Sequence, residues 1–303
     1  MKRKALITGA TGYVGAKLCQ RLLTDGWQVA VLVRETGRPL AATLESAVNA
    51  HKYDGSTQSV MNAVAVEKPD VVFHLASLFI AEHRSDQVTD LINSNLLFAT
   101  QLAEACARAG VKCFINTGTT WQHYRSDVYD PACLYAATKQ AFEDILDFYA
   151  DAFNMRIVTL KLFDTYGPDD PRPKLINLLV RAIKTGEILG MSPGEQVLDL
   201  VHIDDVTHAF VVSAEQLIKA NSFASHVRYA VASGNPVSVR QLVALLKEIS
   251  GRSIDVTFGA RPYREREVMH PWQAGQCPPG WKAQIDTLPG LASLLQVPAP
   301  KSA

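Results

Sequence analysis

The chain has 303 residues, with 30 Lys and Arg against 30 Asp and Glu, so its formal net charge is zero. That balance argues against a phosphate-neutralising surface for nucleic acid, and no basic run exceeds Lys2-Arg3-Lys4. No apolar stretch is long enough for a membrane span, and the N-terminus runs straight into a strand-like segment instead of a signal-peptide core. Cys19, Cys106, Cys113, Cys133 and Cys277 show neither paired nor metal-type spacing, and the histidines form no H-E-x-x-H pattern. The expectation is a cytoplasmic protein with reduced thiols and no metal site.

In chain order, residues 5–8 form an apolar, strand-like run. It leads into Thr8-Gly9-Ala10-Thr11-Gly12-Tyr13-Val14-Gly15, with three glycines at three-residue spacing, and then a helical pattern over 12–25. Strand, glycine turn and helix is the arrangement that holds a dinucleotide pyrophosphate, because glycine lets backbone amides approach the phosphates and the helix N-terminus adds partial positive charge. Further strands are predicted at 28–33, 48–53, 71–75, 113–116 and 156–162, and helices at 57–67, 89–109 and 133–152. This alternation predicts an α/β fold with a doubly wound parallel (Rossmann) sheet.

After Tyr166 the rhythm changes. A loop rich in proline and charge, 167–173, precedes a helix at 175–185; a strand near 228–231 returns to the sheet, and a helix is expected near 239–249. The irregular segment 254–285 reads as part of a smaller lobe over the sheet's C-terminal edge. The expected organisation is a dinucleotide-binding domain over 1–165, rejoined by about 200–235. A substrate-binding lobe follows from 166–199 and 236–303, and the tail 297–303 reads as frayed.

The chemistry centres on Tyr135-Ala136-Ala137-Thr138-Lys139. Tyrosine and lysine at i and i+4 share one helix face, and a lysine charge lowers a phenol's pKa toward neutrality. Such a pair is also common on solvated helix surfaces. The hydroxyl-rich segment Asn116-Thr117-Gly118-Thr119-Thr120 follows the fifth predicted strand and so lies at the sheet edge where ligands bind in this kind of fold.

Together these segments resemble the extended short-chain dehydrogenase/reductases, in the NAD(P)-dependent sugar-nucleotide epimerase/dehydratase family. The resemblance covers nearly the whole chain. It takes in the glycine turn, His74-Leu75-Ala76-Ser77, Asn95, Y-x-x-x-K, Phe163-Asp164-Thr165-Tyr166-Gly167-Pro168, Asp199-Leu200-Val201-His202-Ile203-Asp204-Asp205-Val206 and Arg264-Glu265-Arg266-Glu267-Val268. It implies that Tyr135 is the catalytic acid/base, that Lys139 holds the nicotinamide ribose, and that Thr119 is the catalytic hydroxyl, with Thr117 and Thr120 as rivals. It places Gly9, Thr11, Gly12, Tyr13, Val14, Gly15, Asp54, Gly55, Leu75, Ala76, Ser77, Asn95 and Thr117 around the cofactor. A homodimer through the helices at 95–109 and 133–152 is also implied.

Arg34, with Arg38 nearby, ends the second strand and favours NADP through a 2′-phosphate; Glu35, one position on, would favour NAD. The family's dehydratases carry Asp-Glu after the catalytic threonine, where this chain has Thr120-Trp121. That leaves hydride transfer at one sugar carbon: NADPH-dependent reduction of a 4-keto sugar nucleotide, or NAD-dependent C4 epimerisation. A non-catalytic NADP-binding sensor is the alternative of another class. The resemblance to the CDP-abequose and CDP-paratose synthases, visible at Phe114-Ile115-Asn116-Thr117, Asp164 and Gly194-Glu195-Gln196, implies a deoxysugar ketoreductase.

Trp121, Asp164, Arg172 and Arg264 are the expected substrate residues. Three positions depart from the family pattern: Lys161 for arginine, Asp164 for asparagine and Leu198 for arginine. A carboxylate at 164 facing a diphosphate needs a cation between them. Asp204 and Asp205 read as helix-capping residues.

Overall fold

The computed structural model describes residues 2–220 and 225–296, so the tail 297–303 lies outside the described residues. Seven strands form one sheet: β1 (Lys4–Thr8), β2 (Gln28–Arg34), β3 (Asn49–Tyr53), β4 (Val71–His74), β5 (Cys113–Thr119), β6 (Arg156–Leu162) and β7 (His226–Val231). Their spatial order is β7-β6-β5-β4-β1-β2-β3, and every pairing is parallel. The order in which the chain adds strands reverses between β1 and β4, the switch point that opens a crevice at the C-terminal strand ends.

Alternation along β1 shows how the sheet is covered on both faces. Ile7 joins one apolar core with Leu18 and Leu22 of α1 (Tyr13–Thr24) and with Phe210 and Leu217 of the long helix Ile203–Lys219. Leu6 points the other way, into a second core. That core is built from Val60 and Val64 of α2 (Thr57–Glu67), Leu102 of α3 (Phe98–Arg108), and Phe142 and Leu146 of α4 (Leu134–Ala152). A third core joins α5 (Leu175–Thr185), α7 (Val239–Ser250) and α8 (Thr287–Leu295), where α6 is the helix Ile203–Lys219. Two short strands, Asp164–Tyr166 and Leu200–His202, pair in parallel. No described helix is long and apolar enough to cross a membrane.

Three expectations are corrected. The helix expected over 89–109 is broken into Val88–Ile92, a π-helical turn Asn93–Leu97, and α3. Asn95 sits in that wider turn, 2% exposed, and its amide makes four hydrogen bonds that a regular helix would have to satisfy elsewhere. The strand expected to end at 116 runs on to Thr119, because β6 pairs with it through Thr119↔Leu162. Neither Asp204 nor Asp205 caps α6; His202 is its N-cap, with Nδ1 accepting from the Asp204 amide at 3.3 Å.

Asp205 instead anchors the C-terminal segment. Its buried carboxylate accepts from the Gln284 amide at 3.0 Å and the Ile285 amide at 2.9 Å, and its carbonyl accepts from the Trp281 indole at 3.0 Å. Replacing it strands two backbone donors. Asp205→Ala should lower unfolding free energy by about 2–4 kcal/mol in urea titration, and a loss below about 0.5 kcal/mol would show that the anchor contributes little.

Candidate active site

The glycine turn is built by close backbone approach. Gly9 has φ +79°, and a Cβ there would stand 2.6 Å from the Ala76 amide nitrogen across the β1–β4 crevice. At Gly15 a Cβ would overlap the Gly9 carbonyl, and the Gly12 amide donates to that carbonyl at 3.0 Å. Gly12 caps α1 without a side-chain bond, and the first turn holds no acidic residue. The helix start is therefore electropositive and open to an anion, with Gly12 exposed and Thr11 and Val14 half-buried beside it. This cradle fits a dinucleotide pyrophosphate. Tyr13 faces elsewhere: its ring is buried, its hydroxyl donates to the Pro168 carbonyl at 3.0 Å, and the Arg172 guanidinium lies 4.9 Å over the ring.

The segment after β4 lies against the turn. The Leu75 amide donates to the Thr8 carbonyl and the Ala76 amide to the Thr8 hydroxyl, each at 3.2 Å. Asn95 fixes the next residues: it accepts from Ser77 and from the Leu78 amide, and donates to the Leu78 carbonyl and to Thr138 on α4. Asn95 thus spends its polar groups holding the loop expected to face the cofactor.

At the ends of β2 and β3, Arg34 is paired in register with Tyr53. Arg34, Glu35, Arg38 and Lys52 line a cavity of about 310 Å³ that also takes in Glu45. Asp54 is held down to about 2, chiefly by hydrogen bonds from the Ser56 hydroxyl and amide, and Gly55 follows with φ +100°.

The residues expected to be catalytic lie at the end of β5 and the start of α4. Thr119 ends β5 and opens a short turn, Thr120–Gln122; its hydroxyl accepts a 3.3 Å bond from the Trp121 amide, which leaves its O–H free to donate. The Thr117 hydroxyl is buried without a partner. Tyr135 and Lys139 lie in the first turns of α4, both buried. The expectation that lysine lowers the phenol's pKa is not met. Burial pushes the Tyr135 phenol well up, the Cys133 thiol adds to the rise, and a hydrogen bond from Ser77 opposes it. Burial likewise pushes Lys139 down, to about 8, with the Glu143 charge opposing. Desolvation disfavours both charged forms and is the main cause of each shift. The phenol is therefore held protonated.

Of the expected substrate residues, Trp121 and Arg264 are linked to Tyr135 through Phe79. Phe79, 54% exposed, packs edge-on to Tyr135 at 5.0 Å and to Trp121 at 5.4 Å. Arg264 crosses from the C-terminal segment to lie 4.7 Å over Trp121, while Glu267 holds it at 2.9 and 2.6 Å. Arg172 is gripped by both oxygens of Asp170 at 2.7 Å. Burial raises the Asp164 carboxyl, and Lys174, Arg264 and Arg172 oppose that rise. So cations do stand around Asp164. Lys174 escaped the sequence reading; its only signal was a basic residue just before the α5 pattern. Phe79 left none.

A profile of the NAD dependent epimerase/dehydratase family matches residues 5–223. The chain belongs to this family. Among its relatives, a CDP-abequose synthase from Salmonella muenchen is 25% identical over 301 residues, spanning 98% of each chain. A UDP-glucose 4-epimerase from Mycolicibacterium smegmatis is 28% identical over 324 residues, spanning 97% of each. Two solved structures share the fold. MoeE5 in complex with UDP-glucuronic acid and NAD has TM-score 0.82 at 24% identity, covering 97% of this chain and 98% of that one. The UDP-glucose 4-epimerase of Thermotoga maritima with UDP-glucose has TM-score 0.83 at 21% identity, covering 97% of each chain. The chain is thus an extended short-chain dehydrogenase/reductase of sugar-nucleotide epimerase/dehydratase type.

A family member with a buried lysine carries a stability cost with a defined pH window. Lys139 binds its proton more weakly folded (about 8) than unfolded (about 10.5), so between those values the unfolded chain holds more protons and stability rises with pH. Below pH 8 the full cost, about 3 kcal/mol from this shift, is present. Lys139→Met should therefore melt at higher temperature than the parent at pH 7, with the advantage shrinking from pH 8 to 10. A variant that melts lower at pH 7 contradicts the assignment.

Proposed function

We propose that the protein reduces the 4-keto group of a nucleotide-diphosphate deoxysugar with NADPH. The observation that carries this reading is the buried pair Tyr135 and Lys139, one turn apart on α4, with Phe79 packed against both Tyr135 and Trp121, whose amide donates to the Thr119 hydroxyl. A bound NADPH supplies a hydride to the sugar's C4. Tyr135 gives its proton to the sugar's O4, so the carbonyl becomes an alcohol and the phenol a phenolate. Thr119 donates a hydrogen bond to the same oxygen as negative charge develops there. Lys139 holds the ribose and, charged, stabilises the phenolate until it takes up a proton again.

Thr120 and Trp121 provide no carboxylate for a second proton transfer, which favours simple reduction over dehydration. The CDP-abequose synthases among the relatives favour a deoxysugar. Arg34, Arg38 and Lys52 around the cavity beyond β2 favour a 2′-phosphate and hence NADP. Arg264, Arg172 and Lys174 are the cations proposed to meet the diphosphate. The reading includes the two-lobed organisation, a cytoplasmic setting and a homodimer; exposed Leu97 and Phe148, on the helical segments 93–108 and α4, support the dimer. The second reading, an NAD-dependent C4 epimerase, draws support from the UDP-glucose 4-epimerase relatives and from Glu35 beside Arg34.

The test is incubation with NADPH or NADH and a panel of nucleotide 4-keto-6-deoxy and 4-keto-3,6-dideoxy sugars, followed by loss of nicotinamide absorbance. Net oxidation of NADPH with one keto sugar supports the reductase; no oxidation with any of them, together with interconversion of a 4-hydroxy sugar nucleotide such as UDP-glucose without net cofactor turnover, supports the epimerase. Tyr135→Phe should lower kcat by about 10²–10⁴-fold while binding the dinucleotide normally. Unchanged turnover would remove Tyr135 from its role. Arg34→Ala should weaken NADPH about 10–100-fold by calorimetry and leave NADH unaffected; equal effects on both would place the 2′-phosphate elsewhere.

A further inference from the structure

Glu143 is fully buried on α4, one turn beyond Lys139 and two beyond Tyr135, on the same helix face. A carboxylate at 0% exposure is rare unless its charge is matched and its oxygens are bonded. Both conditions hold here. Oε1 accepts from the Gln122 amide at 2.8 Å. Oε2 accepts from the Arg228 guanidinium of β7 at 3.0 Å and lies 3.8 Å from Lys161 Nζ on β6. Gly118 makes room for it: a Cβ there would stand 3.0 Å from Oε1.

The chain of bonds then reaches the catalytic threonine. Gln122, itself 0% exposed, also donates to Gln140 at 2.8 Å, and its Oε1 accepts the backbone N–H of Thr119 at 3.0 Å. Glu143 is thus two hydrogen bonds from the residue whose hydroxyl is proposed to touch the sugar oxygen.

The charges facing this helix face are few. Lys139 has Tyr135 and Glu143 on its own helix and His74 from β4, whose imidazole burial holds neutral. Around Glu143 stand Arg228 from β7, Lys161 from β6, and Asp144 and Asp147 on α4. Asp147 pairs with Arg228 at 2.7 Å and with His226 at 2.7 Å, and Lys161 donates to His123 at 2.8 Å. Glu143 is the anion on the inner face, between two lysines.

We propose that Glu143 is a positioning residue for this site: its buried carboxylate sets Thr119 through Gln122 and provides the negative charge that keeps Lys139 an ammonium. The proposal rests on the catalytic reading of Thr119, Tyr135 and Lys139. It separates into two functions that different variants remove. Glu143→Gln keeps a group able to bond Gln122 but removes the charge. Gln122→Ala keeps the charge but cuts the link to Thr119.

The experiment reads the Lys139 titration directly, by NMR of protein labelled at lysine Cε, with the resonance assigned by its loss in Lys139→Arg. The wild-type midpoint is expected at about 8. In Glu143→Gln it should fall by about one pH unit or more, and the alkaline limb of kcat should move down with it. Glu143→Asp, which retains the charge, should keep the midpoint near wild type and serves if the glutamine variant does not fold. Gln122→Ala should leave the midpoint in place, lower kcat about 10- to 100-fold, and leave KM for the dinucleotide unchanged. An unmoved Lys139 midpoint in Glu143→Gln, or undiminished kcat in Gln122→Ala, overturns the proposal. If no nucleotide sugar is reduced at all, the catalytic reading fails, while the lysine titration still decides whether Glu143 governs Lys139.

Discussion

Two backbones meet at the switch point of the sheet, and the candidate site is arranged around that contact. Gly9 can lie against Leu75 and Ala76 because it has no Cβ and tolerates a left-handed φ. The approach brings the start of α1 and the loop after β4 to one crevice. It also aims residues 75–79 toward α4, where Asn95 and Thr138 fasten them. Phe79 then reaches Tyr135, and Trp121 and Arg264 close the far side. A side chain at position 9 would push these segments apart, so a single glycine couples the anion cradle to the placement of the phenol.

Burial does the chemical tuning. Pairing tyrosine with lysine suggests, on paper, a phenol made acidic by a neighbouring charge. Inside the protein, loss of water is the main cause of both shifts, so the phenol stays protonated and the lysine weakens. The surrounding protein then has to prevent the lysine from losing its charge altogether. Glu143, matched outward by Arg228 and Lys161, stands where such a charge is needed. A buried polar network of this kind costs desolvation, and full satisfaction of its members is what makes it tolerable.

Much of this was legible in the residue order. The parallel sheet follows from short apolar runs alternating with helical periodicity, and β6 and α2 fall at the residues their patterns mark. The glycine spacing announces its own sterics. What was hidden depends on tertiary contact. The π-helical turn around Asn95 has no local signature, since a polar residue in a helix pattern reads as solvent-facing until the loop it bonds is known. Strands as short as Asp164–Tyr166 and Leu200–His202 carry no period at all. Asp205 sits in the first turn of α6 and invites a capping role, yet its partners, Gln284 and Ile285, come from about 80 residues away. Lys174, Phe79 and Gln122 likewise gain meaning only from what the fold sets against them. The sign of the tyrosine shift required knowing its burial.

The central claim is that the cleft moves a hydride onto a sugar carbon and leaves it there. The most direct measurement uses NADPH deuterated at the transferable C4 position, a nucleotide 4-keto deoxysugar, and mass spectrometry of the product. The account predicts one deuterium at the sugar's C4 and stoichiometric oxidised cofactor, with Tyr135→Phe slowing both together. Product without deuterium, or deuterium retained on the cofactor while the sugar is converted, would contradict it.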